Sequence, residues 1–425
     1  MQSSHSVKVP FSRASISEEE EQIVLKVLRS GWLTTGKYAL QFEQDFSDFM
    51  NSIDNCVDNC TDETAKTVFD RRAALSLSNE KVVSLAVNSN TSGMILAMEA
   101  CGVGEGTAVI TTPYTFVSTA TSARHLGADV YFADIEEDSY NIDASHIERI
   151  LKADRASGNP KVRAIVPVHI AGNMCDMKKI CALAKEYGVK VIEDAAHSFP
   201  SKTSLGYGGT IGDVGVFSFY VTKTMTTAEG GMVCTRDKEI AKRIKTMRLH
   251  GIDRDAWDRY TSPRASWEYD IVAPGFKFNL PDVLASLGCV QLKKAGKLFE
   301  RRKKIVSKYN EAFKNLDFVK CPPDGEGNAW HLYLLRIIPE KLKIDRDEFA
   351  KLLQQRGIGI SVHFIPLFHF TYWKNLYPDF TADTFPNAEK RYSQTITMPL
   401  WPDMTSEMVD EVIGTVISIG RENHA

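Results

Sequence analysis

From residue 81 onward, short apolar runs alternate with longer stretches in which apolar residues recur every three or four positions. Residues 82–87, 107–111, 129–133, 162–168 and 189–192 read as strands. Residues 91–101, 116–126, 144–151 and 176–187 read as helices, the last capped by Asp176 and closed by Gly188. Continuous apolar strands separated by amphipathic helices predict βαβ units and a mostly parallel sheet buried on both faces. Upstream, Ser17 and Glu20 stand at capping-box spacing, and Ile23, Val24, Val27 and Leu28 then share one helical face until Gly31. A second helix after Gly36 carries Leu40, Phe42, Phe46 and Phe49.

The alternation stops after Glu193. Residues 214–220 and 232–235 read as two strands joined by a polar, hairpin-like link. Beyond Pro274 the pattern turns to a long helix over 282–313, strands over 331–337 and 360–364, and a helix over 346–356. The predicted fold class is α/β: a mostly parallel mixed sheet flanked by helices over 1–270, followed by a smaller C-terminal α+β domain over 271–425. Residues 51–80 are polar and aperiodic, which predicts a surface insertion.

Composition narrows the function. The 51 Lys and Arg against 54 Asp and Glu give a net charge of -3, so no basic excess is available for nucleic acid. No apolar run approaches the roughly 18 residues of a membrane span, and residues 1–21 lack the apolar core of a secretory signal. A cytoplasmic protein with free thiols is expected. Of the eight cysteines only Cys56 and Cys60 lie close together, and without a second Cys or His pair they predict no metal site.

Two glycine clusters are decoys. Gly102, Gly104 and Gly106 leave a helix and enter a strand, the reverse of a dinucleotide-binding loop, and no helix follows Gly206, Gly208 and Gly209. Both predict turns.

Four other segments put polar or reactive groups at the ends of predicted strands, where ligands of open α/β sheets collect. Thr91 and Ser92, within 88–93, open a helix whose N-terminus can receive a phosphate, although a simple cap has the same pattern. Asp194 follows an apolar strand and can meet a protonated ring nitrogen, or else cap a helix. Lys223 follows the apolar run 216–221; burial would lower its pKa and leave a neutral amine for Schiff-base formation, whereas a snorkelling or ion-paired lysine is the plainer alternative. Phe116 can stack on a ring or sit in the core. Cradle, acid, amine and aromatic together meet the requirements of pyridoxal 5′-phosphate, which no single segment would establish.

With these residues in view, the chain resembles the DegT/StrS type of sugar aminotransferase, a fold-type I family, from about Val9 to the C-terminus apart from 51–80. The resemblance rests on Ser-Gly-Trp-Leu-Thr-Thr-Gly at 30–36, Glu193-Asp194-Ala195-Ala196-His197, and Phe217-Ser218-Phe219 leading to Lys223 and Glu229-Gly230-Gly231. Residues 274–280, 361–366 and 398–400 match as well. It implies that Lys223 is the Schiff-base lysine, that Asp194 pairs with the ring nitrogen and that His197 contacts the ring hydroxyl. Phe116 would stack on the ring, and Thr91, Ser92 and Ser218 would hold the phosphate. Lys277 and Asn279 lie on a segment that in this family reaches the neighbouring subunit, which implies a homodimer with shared sites.

Candidate substrate contacts are Trp32, Thr34 and Thr35, where a helix stop and turn explains the spacing equally well, and His363, which a satisfied core histidine would also explain. Lys277-Phe278-Asn279, with Leu249-His250-Gly251 and the residues at 255–259, is most similar to the aminoarabinose (lipid A modification) type and its UDP-amino-sugar relatives. Asn90 departs from the family, standing where glycine or alanine is usual. The expected reaction moves an amino group from glutamate to a keto group, at C4, of a nucleotide-linked sugar for lipopolysaccharide or another cell-surface glycan. A sugar dehydratase of the same fold would carry histidine in place of the lysine, so Lys223 argues against it. A pyridoxal-phosphate-sensing regulator would need a basic winged helix, and only about twenty residues precede the first matched helix.

Overall fold

The structure is a computed structural model that describes residues 7–52, 70–73, 75, 77–253 and 268–425. Most of the 51–80 stretch, including Cys56 and Cys60, and residues 255–259 lie outside the described residues. Helices α1 (Glu18–Ser30) and α2 (Lys37–Met50) lead into strand β1 (Val83–Val87). The chain continues through α3 (Asn90–Ala100), β2 (Ala108–Thr111), α4 (Val117–His125), β3 (Asp129–Phe132), α5 (Ala144–Ala156), β4 (Val162–Ile165), α6 (Met177–Tyr187) and β5 (Lys190–Asp194). A small hairpin of β6 (Lys202–Thr203) and β7 (Gly206–Tyr207) precedes β8 (Val214–Ser218), β9 (Gly231–Thr235) and α7 (Lys238–Met247). The C-terminal part comprises α8 (Asp282–Phe313), β10 (Val319–Lys320), β11 (Tyr333–Ile337), α9 (Arg346–Gln355), α10 (Thr371–Leu376), α11 (Pro386–Gln394), β12 (Thr395–Met398) and α12 (Ser406–Glu422).

Seven strands form one sheet in the order β1-β9-β8-β5-β4-β2-β3. Strand β9 runs antiparallel to both of its neighbours, and the remaining pairs are parallel. The carboxyl ends of β1, β2, β5 and β8 therefore open on the same edge, which is the geometry that gathers ligands in such sheets. The strands are buried on both faces, as their unbroken apolar runs predict: Val109, Ile110, Ile192, Val216 and Val233 are all fully enclosed.

A second, antiparallel sheet of β10, β11 and β12 lies in the C-terminal part. Helix α8 joins the two regions. Its Ala285, Cys289 and Leu292 sit with Phe42 and Phe46 of α2, while its Ile305, Tyr309 and Phe313 sit with Tyr333, Val412 and Val416. Val9, from the other end of the chain, belongs to this C-terminal cluster and bridges to Ile358. In the opposite sense, Phe364, Leu367 and Trp373 pack into the core of the large sheet.

One expectation needs correction. Residues 360–364 form no strand: Ser361 makes a single bridge to Thr397, and the Thr397 side-chain oxygen takes the His363 amide at 3.2 Å in place of a ladder partner. The described flanks of the polar 51–80 stretch are anchored by side-chain hydrogen bonds. Asn51 exchanges hydrogen bonds with both backbone groups of Val82, and the buried Arg72 reaches the carbonyls of Ser78, Leu205 and Thr210. Polar side chains there serve loop backbone groups that would otherwise be buried without partners. Among the described residues no helix is long and apolar enough to cross a membrane, and no group of three or more His, Cys, Asp or Glu could hold a metal.

Candidate active site

At the sheet edge where β1, β2, β5 and β8 end lies a cavity of about 330 Å³. The turn after β1 contributes Ser89 and the start of α3 contributes Asn90 and Thr91; the turn after β2 contributes Phe116; Asp194 ends β5 and His197 follows it; Ser218 ends β8 and Lys223 follows it. The sequence therefore brings its cradle, acid, amine and aromatic to one wall because each ends a strand of the same polarity.

Helix α3 begins inside this cavity. Ser89 caps it by accepting the Ser92 amide at 3.1 Å, and the first helical amides, at Asn90 and Thr91, have no intrahelical acceptor. An anion at this position meets both free N–H groups and the positive end of the helix dipole. Gly231 lets β9 lie directly against the backbone of this turn: a Cβ there would meet Phe217 O and Ser89 C at 2.8 Å and Asn90 N at 2.9 Å. Ser92 does not line the cavity. Its hydroxyl is committed to Asn88, Ser89 Oγ (2.7 Å) and Ser89 O (3.0 Å), and it is Ser89 that faces the space.

Asp194 is 3% exposed and accepts hydrogen bonds from Asn90, Thr119 and the Ala196 amide. Directly behind it, the buried Glu193 carboxylate accepts His169 Nε2 at 2.9 Å and the amides of Gly209, Ile211 and Gly212 at 2.9, 2.8 and 2.7 Å. Burial pushes the Glu193 pKa up, but these four donors outweigh it and hold the carboxyl below its ordinary value. Of the glycine cluster at 206–209, Gly208 and Gly209 form the predicted turn, held to Glu193 through the Gly209 amide, whereas Gly206 lies in the short strand β7.

Lys223 lines the same cavity. Burial lowers its amine pKa from 10.5 to about 8 against the upward pull of Asp194. His197 Nδ1 accepts the Ala171 amide at 3.2 Å, which assigns the proton to Nε2. Burial, with Lys223 and His363 nearby, pushes the His197 pKa well below its ordinary value, so the ring is a neutral donor. His363 also lines the wall; Thr397 Oγ1 lies 3.0 Å from its Nδ1, and burial followed by Lys223 brings its pKa down to about 4. Phe116, 58% exposed, stands at the mouth as a flat apolar face.

The cavity wall also includes residues that the sequence pattern did not single out, among them Ser89, Ser118, Tyr220 and His331. His331, at the entry to β11, is buried with no hydrogen-bond partner on Nδ1, and its ring centroid is 4.3 Å from that of His197. Its place in an apolar run, Ala329-Trp330-His331-Leu332, gives no sign that the turn delivers it to a strand edge far away in sequence.

Trp32, Thr35, Lys277 and Asn279 form a separate cluster. Asn279 Nδ2 donates to Thr35 Oγ1 at 2.6 Å, Lys277 Nζ to Asn279 Oδ1 at 2.5 Å, and Trp32 Nε1 to Thr35 O at 3.2 Å. Thr34 O receives the amide of Asp282, whose carboxylate caps the N-terminus of α2 through Gly36, Tyr38 and Ala39. None of these residues lines the Lys223 cavity within one chain.

The arrangement fits pyridoxal phosphate: an anion cradle at one end, a buried carboxylate for the ring nitrogen, a neutral imidazole donor and a depressed amine pKa. Comparison with known proteins agrees. The model of the DegT/DnrJ/EryC1/StrS aminotransferase family matches residues 14–68 and 61–417. The spore coat polysaccharide biosynthesis protein SpsC of Bacillus subtilis is 38% identical over 414 residues, 97% of either chain. Spr1654 of Streptococcus pneumoniae, titled a sugar aminotransferase, superposes in its pyridoxamine phosphate form with a TM-score of 0.81 and 28% identity, covering 98% of this chain and 100% of its own. Helicobacter pylori PseC, an aminotransferase of pseudoaminic acid biosynthesis, gives 0.80 and 25%, covering 97% and 99%. Topology, cavity chemistry and matched length lead to one conclusion: this chain belongs to the DegT/DnrJ/EryC1/StrS aminotransferase family and is a transaminase that uses pyridoxal 5′-phosphate.

Proposed function

We propose that the protein moves an amino group from glutamate to the C4 keto group of a nucleotide-linked sugar, in the cytoplasm, to supply a cell-surface glycan or lipid A precursor. The observation that carries the reading is the placement of Lys223 and Asp194 on one cavity beside the N-terminus of α3. The names of SpsC and PseC, one in spore coat polysaccharide and one in pseudoaminic acid biosynthesis, support a glycan precursor.

When bound, pyridoxal phosphate supplies an electron sink for the carbon that loses its proton. The protein supplies position and proton transfer. Thr91, Ser218 and Ser89, with the α3 amides, bind the phosphate; Asp194 keeps the ring nitrogen protonated; His197 offers Nε2–H to the ring hydroxyl; Phe116 covers one ring face. The Lys223 amine takes a proton from the reacting carbon as general base and returns it as general acid. Lys277 and Asn279 would enter the site of a second subunit, making a homodimer the working unit, with Trp32, Thr34, Thr35 and His363 oriented toward the sugar nucleotide.

The test is a panel of nucleotide-linked keto sugars with glutamate, followed by 2-oxoglutarate release. Turnover with a 4-keto sugar nucleotide is expected. Turnover confined to 3-keto sugars, or to free keto acids, would overturn the assignment.

A further inference from the structure

Asp194 is gripped by more than its own strand. Oδ1 accepts hydrogen bonds from Asn90 Nδ2 at 3.3 Å and the Ala196 amide at 3.2 Å, and Oδ2 accepts one from Thr119 Oγ1 at 2.7 Å. Thr119 spends its single proton on Asp194, so Thr115 Oγ1, 2.9 Å away, must be the donor to Thr119. Asn90 Nδ2 also donates to Val216 O at 3.0 Å, which fixes the amide against rotation. The carboxylate is thus held from α3 on one side and from α4 on the other.

A carboxylate offers about four acceptor positions, two on each oxygen. Both positions on Oδ1 are taken and one on Oδ2 is taken. A single position remains, on Oδ2, for a ligand in the cavity that Asp194 lines. We propose that Oδ2 is the atom that accepts the hydrogen bond from the protonated ring nitrogen of the cofactor, and that Asn90 and Thr119 are positioning residues that aim it. The inference rests on the reading of Asp194 as the partner of that nitrogen. Neither glycine nor alanine at position 90 could reach Asp194, whereas the Asn90 amide does so at 3.3 Å. As the first residue of α3 it also ties the phosphate end of the site to the acid end.

Thr119→Val keeps the shape of the side chain and removes the hydroxyl, leaving Oδ2 with two open positions. Asn90→Ala removes the amide donor to Oδ1, and Thr119→Ser returns the hydroxyl. Two readouts besides turnover apply to the holoenzyme: the dissociation constant of pyridoxal phosphate, and the chemical shift of its ring nitrogen when labelled with ¹⁵N, which reports protonation. Thr119→Val should weaken cofactor binding about tenfold, the scale of one hydrogen bond to a charged group, and move the ¹⁵N signal toward the unprotonated form. Turnover should fall while KM for glutamate stays within about twofold. Asn90→Ala should move the same signal in the same direction by a smaller amount, and Thr119→Ser should restore both readouts.

An unchanged affinity and ¹⁵N shift in Thr119→Val, or a Thr119→Ser protein as impaired as the valine variant, would overturn the proposal. Should the valine variant fail to fold, an unmoved ¹⁵N signal in Asn90→Ala does so instead. Failure of the underlying reading looks different: the ring nitrogen of the parent protein would then be unprotonated, and would not respond to Asp194→Asn.

Discussion

The depressed pKa of Lys223 has a kinetic consequence that can be worked out from its surroundings. Burial brings the amine from 10.5 down to about 8, and Asp194 moderates the fall. At pH 7 a pKa of 8 leaves roughly one amine in ten neutral, against roughly one in three thousand for an ordinary lysine, an advantage of about 300-fold in available nucleophile. Protein stripped of its cofactor should therefore capture pyridoxal phosphate at a rate that climbs with pH and levels off above about 8. Stopped-flow absorbance, referenced at each pH to capture by a simple alkylamine expressed per neutral amine, cancels the titration of the aldehyde itself. Asp194→Asn removes the charge that favours the ammonium, so its inflection should move to lower pH. The sign for stability follows from proton counting: between about 8 and 10.5 the unfolded chain keeps a proton on Lys223 that the folded apoprotein has released. The stability of the apoprotein should thus rise with pH across that window. An inflection near 10 in the parent, or an upward shift in Asp194→Asn, would refute the reasoning.

Asp194→Asn should also lower turnover by a factor of about 100 or more, as a neutral amide cannot hold the ring nitrogen protonated, while absorbance spectra show the cofactor still bound. Gly231→Ala should cost at least about tenfold in cofactor affinity, measured by fluorescence titration, because its Cβ would drive apart Phe217 O, Ser89 and Asn90 N where the phosphate cradle closes. Asp282→Ala should lower the unfolding free energy by about 2 kcal/mol in urea titrations, the upper range for a lost helix cap, since it strips the amides of Gly36, Tyr38 and Ala39 of their acceptor.

Much of this architecture is legible in local pattern. The alternation from β1 to β5 follows from apolar runs long enough for strands and periodic stretches long enough for helices, and the β8–β9 pair follows from two such runs with a short polar link. The long α8 and the Gly31 stop, with its φ of 73°, are equally local. Sequence order alone could not say that β9 inserts between β1 and β8, because that pairing joins residues about 150 positions apart. Nor could it choose between the neighbouring serines of the cradle: the Ser92 hydroxyl turns inward to Asn88 and Ser89 O, and Ser89 is the one that lines the cavity. Thr119 resembles any small helical residue until α4 is seen to lie against Asp194. His331 is concealed for the same reason, since its burial among apolar neighbours is what a core histidine would show. Helices α10 and α11 lie in a segment rich in aromatic and polar residues with no steady period, and tertiary packing around Trp373, Phe385 and Ala388 fixes them.

The central claim is that the amine of Lys223 carries the cofactor. Borohydride reduction of the holoprotein, followed by proteolysis and mass spectrometry of the peptides, tests it directly. A phosphopyridoxyl group on the peptide containing Lys223, and on no other lysine, is the predicted result. Label on a different lysine, or a reduced protein with no label despite bound cofactor, would contradict it.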